Sequence, residues 1–206
     1  MKIYCPFVGV LWKRRLIVLY KEIFRKSIHL CSCFVPLLLK SFYKTTIVLL
    51  VIAAVFYSLA QFLALKGKRL PLISDISDMA ARERDRGKFA LGPLTLVFGI
   101  VASALLFSPK AASVGIFALA FGDGLASLAG KFLGNLHIPH TGGKTCAGSL
   151  VCLTAIFISS FCVLGRADAA LVLALCGMLI EVLPLKDFDN ILIPLLLGAL
   201  AQRLYV

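Results

Sequence analysis

Charge is what this sequence has least of. Only 16% of its 206 residues are charged and 60% are hydrophobic, whereas an ordinary soluble domain carries about 25% charged residues. Acids are scarcest, with 10 Asp and Glu against 22 Lys and Arg. Mean hydropathy is +0.97. A water-soluble globular enzyme is excluded, and so is a disordered chain. The seven cysteines form no CxxC pair and mostly sit in apolar stretches, which excludes a disulfide framework or a cysteine-based zinc site. There is no long-period repeat and no low-complexity tract. No cleavable signal peptide is expected, because Lys13-Arg14-Arg15 follows the apolar residues 3–12 instead of preceding them.

What is there is apolar helix. Stretches 45–65, 89–107 and 145–165 are each long enough to cross a bilayer, which takes about 20 residues. Four shorter runs, 27–39, 111–122, 169–180 and 190–202, bring the count to about six or seven spans. Lipid-facing backbone must satisfy its own hydrogen bonds, so the expected fold is an all-α polytopic bundle. The expected organisation is one membrane domain over 1–206, with 1–20 a cytoplasmic or interfacial segment and 21–206 the membrane core.

The net charge of +12 points to anionic lipid head groups rather than nucleic acid. With seven spans and the N-terminus in the cytoplasm, the inside segments hold 17 Lys and Arg and the outside segments 5. Nine of the ten acids also fall in or beside inside segments. That bias fits the positive-inside rule, and a bacterial-type inner membrane is the expected location. It predicts aqueous chemistry at the cytoplasmic face. Asp123 lies 13 residues after Lys110, and Glu181 lies 13 after Asp168, about 20 Å of helix rise in each case. His29, 11 residues before Lys40, reaches a similar depth at about 16 Å. Intramembrane ionisable groups usually face a bundle interior or a wet cavity, so the three are expected to share one.

The segment 121–149 is the richest in chemistry. Gly122, Ala126, Gly130 and Gly134 recur every four residues and form a small-residue ridge on a helix. Asp123 and Ser127 form the neighbouring polar stripe. Gly142-Gly143-Lys144-Thr145 follows, and a new span opens at Gly148-Ser149. Glycine backbone, a lysine and a helix start suit phosphate, and an acid opposite suits a Mg–nucleotide. The alternative is a packing helix followed by a basic loop. The loop is not a P-loop, because Ile138 stands where its first glycine belongs. His137 and His140 form HxxH without an acidic or cysteine partner at ligand spacing, and solvated loop histidines are the expectation there.

Three further segments carry polar groups. Glu22, Arg25, Lys26 and His29 share one helix face, either as a juxtamembrane anchor or as part of a site. The cluster Arg82-Glu83-Arg84-Asp85-Arg86 reads as a solvated turn or a phosphate clamp. Glu181, followed by Asp189 and Asn190 beyond a proline turn, reads as a polar hairpin or as a second set of metal or hydroxyl ligands.

These segments, in this order, resemble the dolichol kinase/phytol kinase family of membrane lipid kinases. The matching residues are Glu22-Ile-Phe-Arg25-Lys26-Ser-Ile-His29, Gly122-Asp123-Gly124-Leu-Ala126 with Gly130 and Gly134, Gly143-Lys144-Thr145 with Gly148-Ser149, and the stretch Glu181 to Asn190. The resemblance covers about residues 20–200 and makes 21–206 a kinase-like core. It implies transfer of the CTP γ-phosphate to a polyprenol, phytol or diacylglycerol-type alcohol, with Mg²⁺. The implied roles are catalytic for Asp123, Lys144 and His29. Arg25, Lys26, Gly122, Gly142, Gly143, Thr145, Gly148 and Ser149 would bind nucleotide. Asp123, Glu181 and Asp189 would hold metal, with Asn190, Arg82 and Arg86 as further candidates. The central block is also similar to phosphatidate cytidylyltransferase, which makes CDP-diacylglycerol from CTP and phosphatidate, but the closing Asp-Arg-x-Asp pattern of that family is absent. A small ion or solute transporter using Asp123 and Glu181 is the alternative from another class.

Overall fold

The computed structural model describes residues 6–68, 73–80, 85 and 87–205, with side chains for 19–68, 76, 77, 79, 80, 85 and 87–204. Among the described residues the fold is all-helical: α1 (Pro6–Cys31), α2 (Val35–Leu65), α3 (Ile73–Ala80), α4 (Gly92–Leu106), α5 (Pro109–Phe117), α6 (Gly124–Leu133), α7 (Cys146–Leu164), α8 (Ala167–Val182) and α9 (Asp189–Tyr205). A 3₁₀ turn, Ser32–Phe34, links α1 to α2, and a π-helical turn, Ala118–Asp123, links α5 to α6.

Local chemistry explains the boundaries. Prolines open α2, α4 and α5, where the missing N–H costs nothing. The Thr145 side chain caps α7 by accepting from Gly148 N at 3.1 Å. Gly165 ends α7 in the left-handed conformation at φ 68°, with its N–H on Phe161 O.

Packing divides the helices by role. α8 lies along α7, α9 along α5 and α4, and α6 along the N-terminal half of α7. Ile116, Leu119, Ile156, Leu173, Ile193 and Leu197 are fully enclosed at the centre. Glycines let α9 sit hard against its neighbours. A Cβ on Gly99 would stand 2.1 Å from Asn190 O, and one on Gly115 would stand 2.3 Å from Pro194 O. α2 is peripheral, and most of its Leu, Val, Ile and Phe side chains are exposed. In a bundle this apolar, that face belongs to lipid.

Among the described residues, three helical runs are long and apolar enough to cross a membrane: Leu19–Leu65, Pro109–Leu133 and Cys146–Leu164. α4, α8 and α9 have 15, 16 and 17 residues, short of the usual span of about 20. Length and composition alone count three crossings among the described residues, and the six or seven expected from the sequence are not reached by that measure. The stretch 27–39 is not one helix, since α1 ends at Cys31 and α2 starts only after the 3₁₀ turn. α2 is itself kinked at Phe42, with φ −138° and ψ 55°. α1 runs without a break from Pro6 to Cys31.

Candidate functional site

The site is built where α6 crosses the start of α7. A Cβ on Gly148 would stand 2.8 Å from Ala126 O, and one on Gly130 would stand 2.9 Å from Thr145 Oγ1. The small-residue ridge read from the sequence is thus a helix contact, and it brings the loop between the two helices beside Asp123. Ile138 N donates to Lys144 O at 2.9 Å and Cys146 N to Leu136 O at 3.0 Å, so the loop closes as a hairpin with His137 opposite Thr145. Gly142 and Gly143, at φ 71° and 98°, make the turn that L side chains disfavour.

One buried ion pair, one part-buried pair and one part-buried cluster organise the charges. Lys26 Nζ on α1 donates to Asp123 Oδ2 at 2.5 Å, with both side chains enclosed. His29 Nδ1 stands 3.3 Å from the same oxygen. Lys144 donates to Glu181 on α8, and Ser149 Oγ lies 3.5 Å from the other Glu181 oxygen. Burial pulls the Lys144 pKa down, but Glu181 and then Asp123 outweigh it and hold the ammonium above the ordinary lysine range. Glu22 takes Arg25 on one carboxylate oxygen at 2.5 Å and Lys131 of α6 on the other at 3.0 Å.

These groups surround one cavity of about 730 Å³. Of the residues singled out in the sequence, Arg25, Lys26, Asp123 and Lys144 line it, with Gly142 and Gly143 of the turn. Thr145, Gly148, Glu181 and Asp189 line it too, as do Glu22, Ala126, Ser127, Gly130, Gly134 and His137. Asp123 and Glu181 therefore share a cavity, as their depths suggest. His29 does not line it. The imidazole sits behind Asp123, against a small niche with Ile28, Ala80, Pro93 and Leu96.

Gly122 packs on Ile156, and a Cβ there would meet that side chain at 2.8 Å. Ser149 touches the site only through Glu181. Asn190 faces α4 instead, with Nδ2 donating to Gly92 O at 3.2 Å and Thr95 Oγ1 at 3.0 Å. Arg82 and Arg86 lie outside the described residues. Among the described residues, no three His, Cys, Asp or Glu side chains stand close enough to make a metal-binding group. Asp123, Glu181 and Asp189 line the cavity as separate acids.

The sequence reading gave no individual role to Lys131, Thr141, Leu183, Pro184 and Lys186, which also line the cavity. Lys131 was legible in principle, because it lies four residues after Ser127 on the same helix face. The loop residues had no spacing signal, since only the hairpin places them.

No family profile matches the chain, and no solved structure matches it. It is 30% identical over 145 residues to an uncharacterised protein of Methanocaldococcus jannaschii, covering 70% of this chain and 71% of that one. It is 31% identical over 169 residues to a probable chloroplastic phytol kinase 1 of Glycine max, covering 72% and 56%. Against the chloroplastic farnesol kinase of Arabidopsis thaliana it is 32% identical over 138 residues, covering 59% and 45%. The chain thus spans about half the length of the two plant kinases. At 30% identity over 71% of its length, the archaeal protein shows the family to which this chain belongs, and the plant proteins named as phytol and farnesol kinases are similar to the chain as well.

Proposed function

We propose that this protein phosphorylates a membrane lipid alcohol, with CTP as donor. The observation that carries the reading is the single cavity in which Asp123 and Lys144 meet, opened by a two-glycine turn at the end of apolar helices. The plant relatives named as phytol and farnesol kinases support the acceptor class. The sequence resemblance supports CTP.

Phosphoryl transfer needs positioning and charge neutralisation more than covalent help. Lys144 and the Gly142-Gly143 backbone would hold the phosphate chain, with Arg25 and Lys131 along its side. Lys26 fixes Asp123, whose carboxylate would orient the acceptor hydroxyl or hold the metal ion, and the hydroxyl proton would pass to water in the cavity. The alcohol oxygen forms the new bond to the γ-phosphorus, the β–γ bridging bond breaks, and CDP leaves. The separate acids fit a magnesium ion carried in on the nucleotide rather than caged by protein, since Mg²⁺ usually takes one or two carboxylates plus phosphates and water. Asp123 and Asp189 would hold it, and the ion's charge would add to that of the lysines.

The same reading puts the cavity at the cytoplasmic face, with six or seven crossings and the N-terminus inside, supported by the 17-to-5 distribution of basic residues. The deciding experiment incubates purified protein with γ-labelled CTP and a panel of lipid alcohols. Label in a lipid with release of CDP is expected. Release of pyrophosphate instead would make the enzyme a cytidylyltransferase. Solute flux without nucleotide consumption would make it a transporter.

A further inference from the structure

Much of the cavity rim is hostile to hydrocarbon. On α1 and α6 it carries Glu22, Arg25 and Lys131, which hold one another as ions. Elsewhere stand Lys144 and the two-glycine turn, whose Gly142 and Gly143 are exposed. An apolar chain crossing there would strip water from charges, which is unfavourable. The turn between α8 and α9 differs at its start. Leu183 is half exposed, and among the large apolar side chains exposed on the described residues it alone also lines the cavity.

Leu183 is also the last rung of a longer stripe. Leu171, Leu175, Leu179 and Leu183 recur every four residues along α8 and just past its end, and each is between 43% and 62% exposed. Side chains four apart on a helix are neighbours, so the four make one apolar track, about 18 Å long at 1.5 Å per residue. Alone, such a track is an ordinary lipid-facing stripe. What sets it apart is the end at the cavity. Glu181 is buried and lines the cavity, and in a continuing helix the side chain two residues later would point about 200° away. The helix stops at Val182 instead, and Leu183 takes an extended backbone at φ −66° and ψ 142°. The chain turns across the end of α8 there, and Leu183 borders both the track and the cavity.

A lipid alcohol needs this junction, because its chain belongs in the bilayer while its hydroxyl must reach charged groups. We propose that the leucine track seats the hydrocarbon chain of the acceptor, and that Leu183 is the threshold over which its hydroxyl enters the cavity. This assignment rests on the lipid-kinase reading above and adds to it the residues that select a long-chain alcohol over a short one. Nucleotide enters from water over the exposed glycine turn, and the acceptor enters from the bilayer along α8, so the two substrates arrive by separate routes. Selection works by alignment. A chain moving from lipid tails onto leucine gains little from the hydrophobic effect, but a chain held along α8 presents its hydroxyl in one orientation. An alcohol too short to reach Leu179 loses that alignment.

The test compares phytol with prenol, a short water-soluble isoprenoid alcohol, as acceptors of label from γ-labelled CTP, using the full chain in detergent micelles with magnesium. The readout is the ratio of kcat/KM for phytol to that for prenol, in which effects on the donor cancel. The native protein should favour phytol by about tenfold or more, since a slightly misplaced reactant can cost about a hundredfold. Leu183→Gln should bring the ratio close to one, and Leu179→Gln should lower it severalfold. Leu183→Met should preserve it. So should Leu59→Gln, which makes the same change on the exposed face of α2, away from the cavity. A native ratio near one, a ratio untouched by Leu183→Gln, or an equal fall in Leu59→Gln would overturn the assignment. If Leu183→Gln is inactive on both alcohols, Leu179→Gln decides, and a native ratio there would overturn it. If prenol takes no label, kcat/KM for phytol in Leu183→Gln against that in Leu59→Gln decides in the same way. If the native protein labels neither alcohol, the kinase reading itself falls. If it labels both and only the variants fail to separate them, the kinase reading stands and the leucine seat falls.

Discussion

Lys26 Nζ and Asp123 Oδ2 meet at 2.5 Å, 97 positions apart in the chain, with both side chains almost wholly out of contact with solvent. The pair pins α1 to the turn that opens α6. Removing one partner of a buried ion pair leaves the other charged and unpaired, which costs about 3–5 kcal/mol. Asp123→Asn keeps the volume but strands the lysine, so it should lower thermal stability as well as abolish turnover. Lys26→Met combined with Asp123→Leu should recover most of the melting temperature and none of the activity. A double variant no more stable than Asp123→Asn would show that the pair is not the cause.

His29 is placed to hold Asp123 rather than to touch nucleotide, because it borders the niche behind the carboxylate and not the large cavity. Asparagine can put a donor near the position of Nδ1, whereas alanine cannot. His29→Asn should therefore retain more kcat than His29→Ala, and both should leave KM for the nucleotide unchanged. Equal loss in the two variants would argue for imidazole chemistry that only histidine supplies.

Lys144 should remain charged wherever the enzyme works. Its pKa is raised, so its ion pair is fully present below the ordinary lysine value and is lost only as pH rises through the higher folded value. Lys144→Ala should weaken nucleotide binding at least tenfold. The ratio of its Kd to the native Kd should stay flat between about pH 7.5 and about pH 9.5, below the ordinary lysine value of about 10.4. A ratio that shrinks within that window would show a lysine that deprotonates early.

The α6–α7 crossing sets the distance between Asp123 and the glycine turn. A methyl group on Gly148 would press on the Ala126 carbonyl at 2.8 Å, and a backbone group cannot rotate away. Gly148→Ala should destabilise the protein by about 1–3 kcal/mol, the usual range for overpacking. It should also raise the nucleotide Kd while the lipid KM changes little. Wild-type melting and binding would mean that the crossing has slack.

Orientation can be read with a membrane-impermeant maleimide on sealed vesicles. Cys146 is exposed beside the site and should label from the cytoplasmic side. A Lys110→Cys variant should label from the opposite side. Labelling of both positions from one face would remove the crossing between them.

The helical class, the small-residue ridge and the Gly-Lys-Thr loop were legible because each is a local pattern with a known period. Which cation answers Asp123 was not. Arg25 and Lys26 are neighbours on one helix and spacing treats them alike, yet Lys26 is enclosed against Asp123 while Arg25 turns to Glu22. The depth argument brought Asp123, Glu181 and His29 to one level, but helix rise carries no information about which side of a neighbour a ring occupies. His29 therefore came to the right carboxylate from behind. Thr141 and Leu183 owe their places to a hairpin and a turn, and such long-range closure leaves no periodic trace.

The π turn at Ala118–Asp123 separates two jobs within one rod. An extra residue in a helical turn swings all that follows by roughly 100° about the axis, because each residue of an α-helix advances by that angle. The apolar face with which α5 grips α9 and the polar face that α6 shows the cavity are thereby set at independent azimuths. Deleting one residue between positions 118 and 123 would restore a plain α-helix and leave the composition almost untouched. It would also rotate Asp123 relative to the face that anchors it, so this segment should tolerate substitution far better than a change in length.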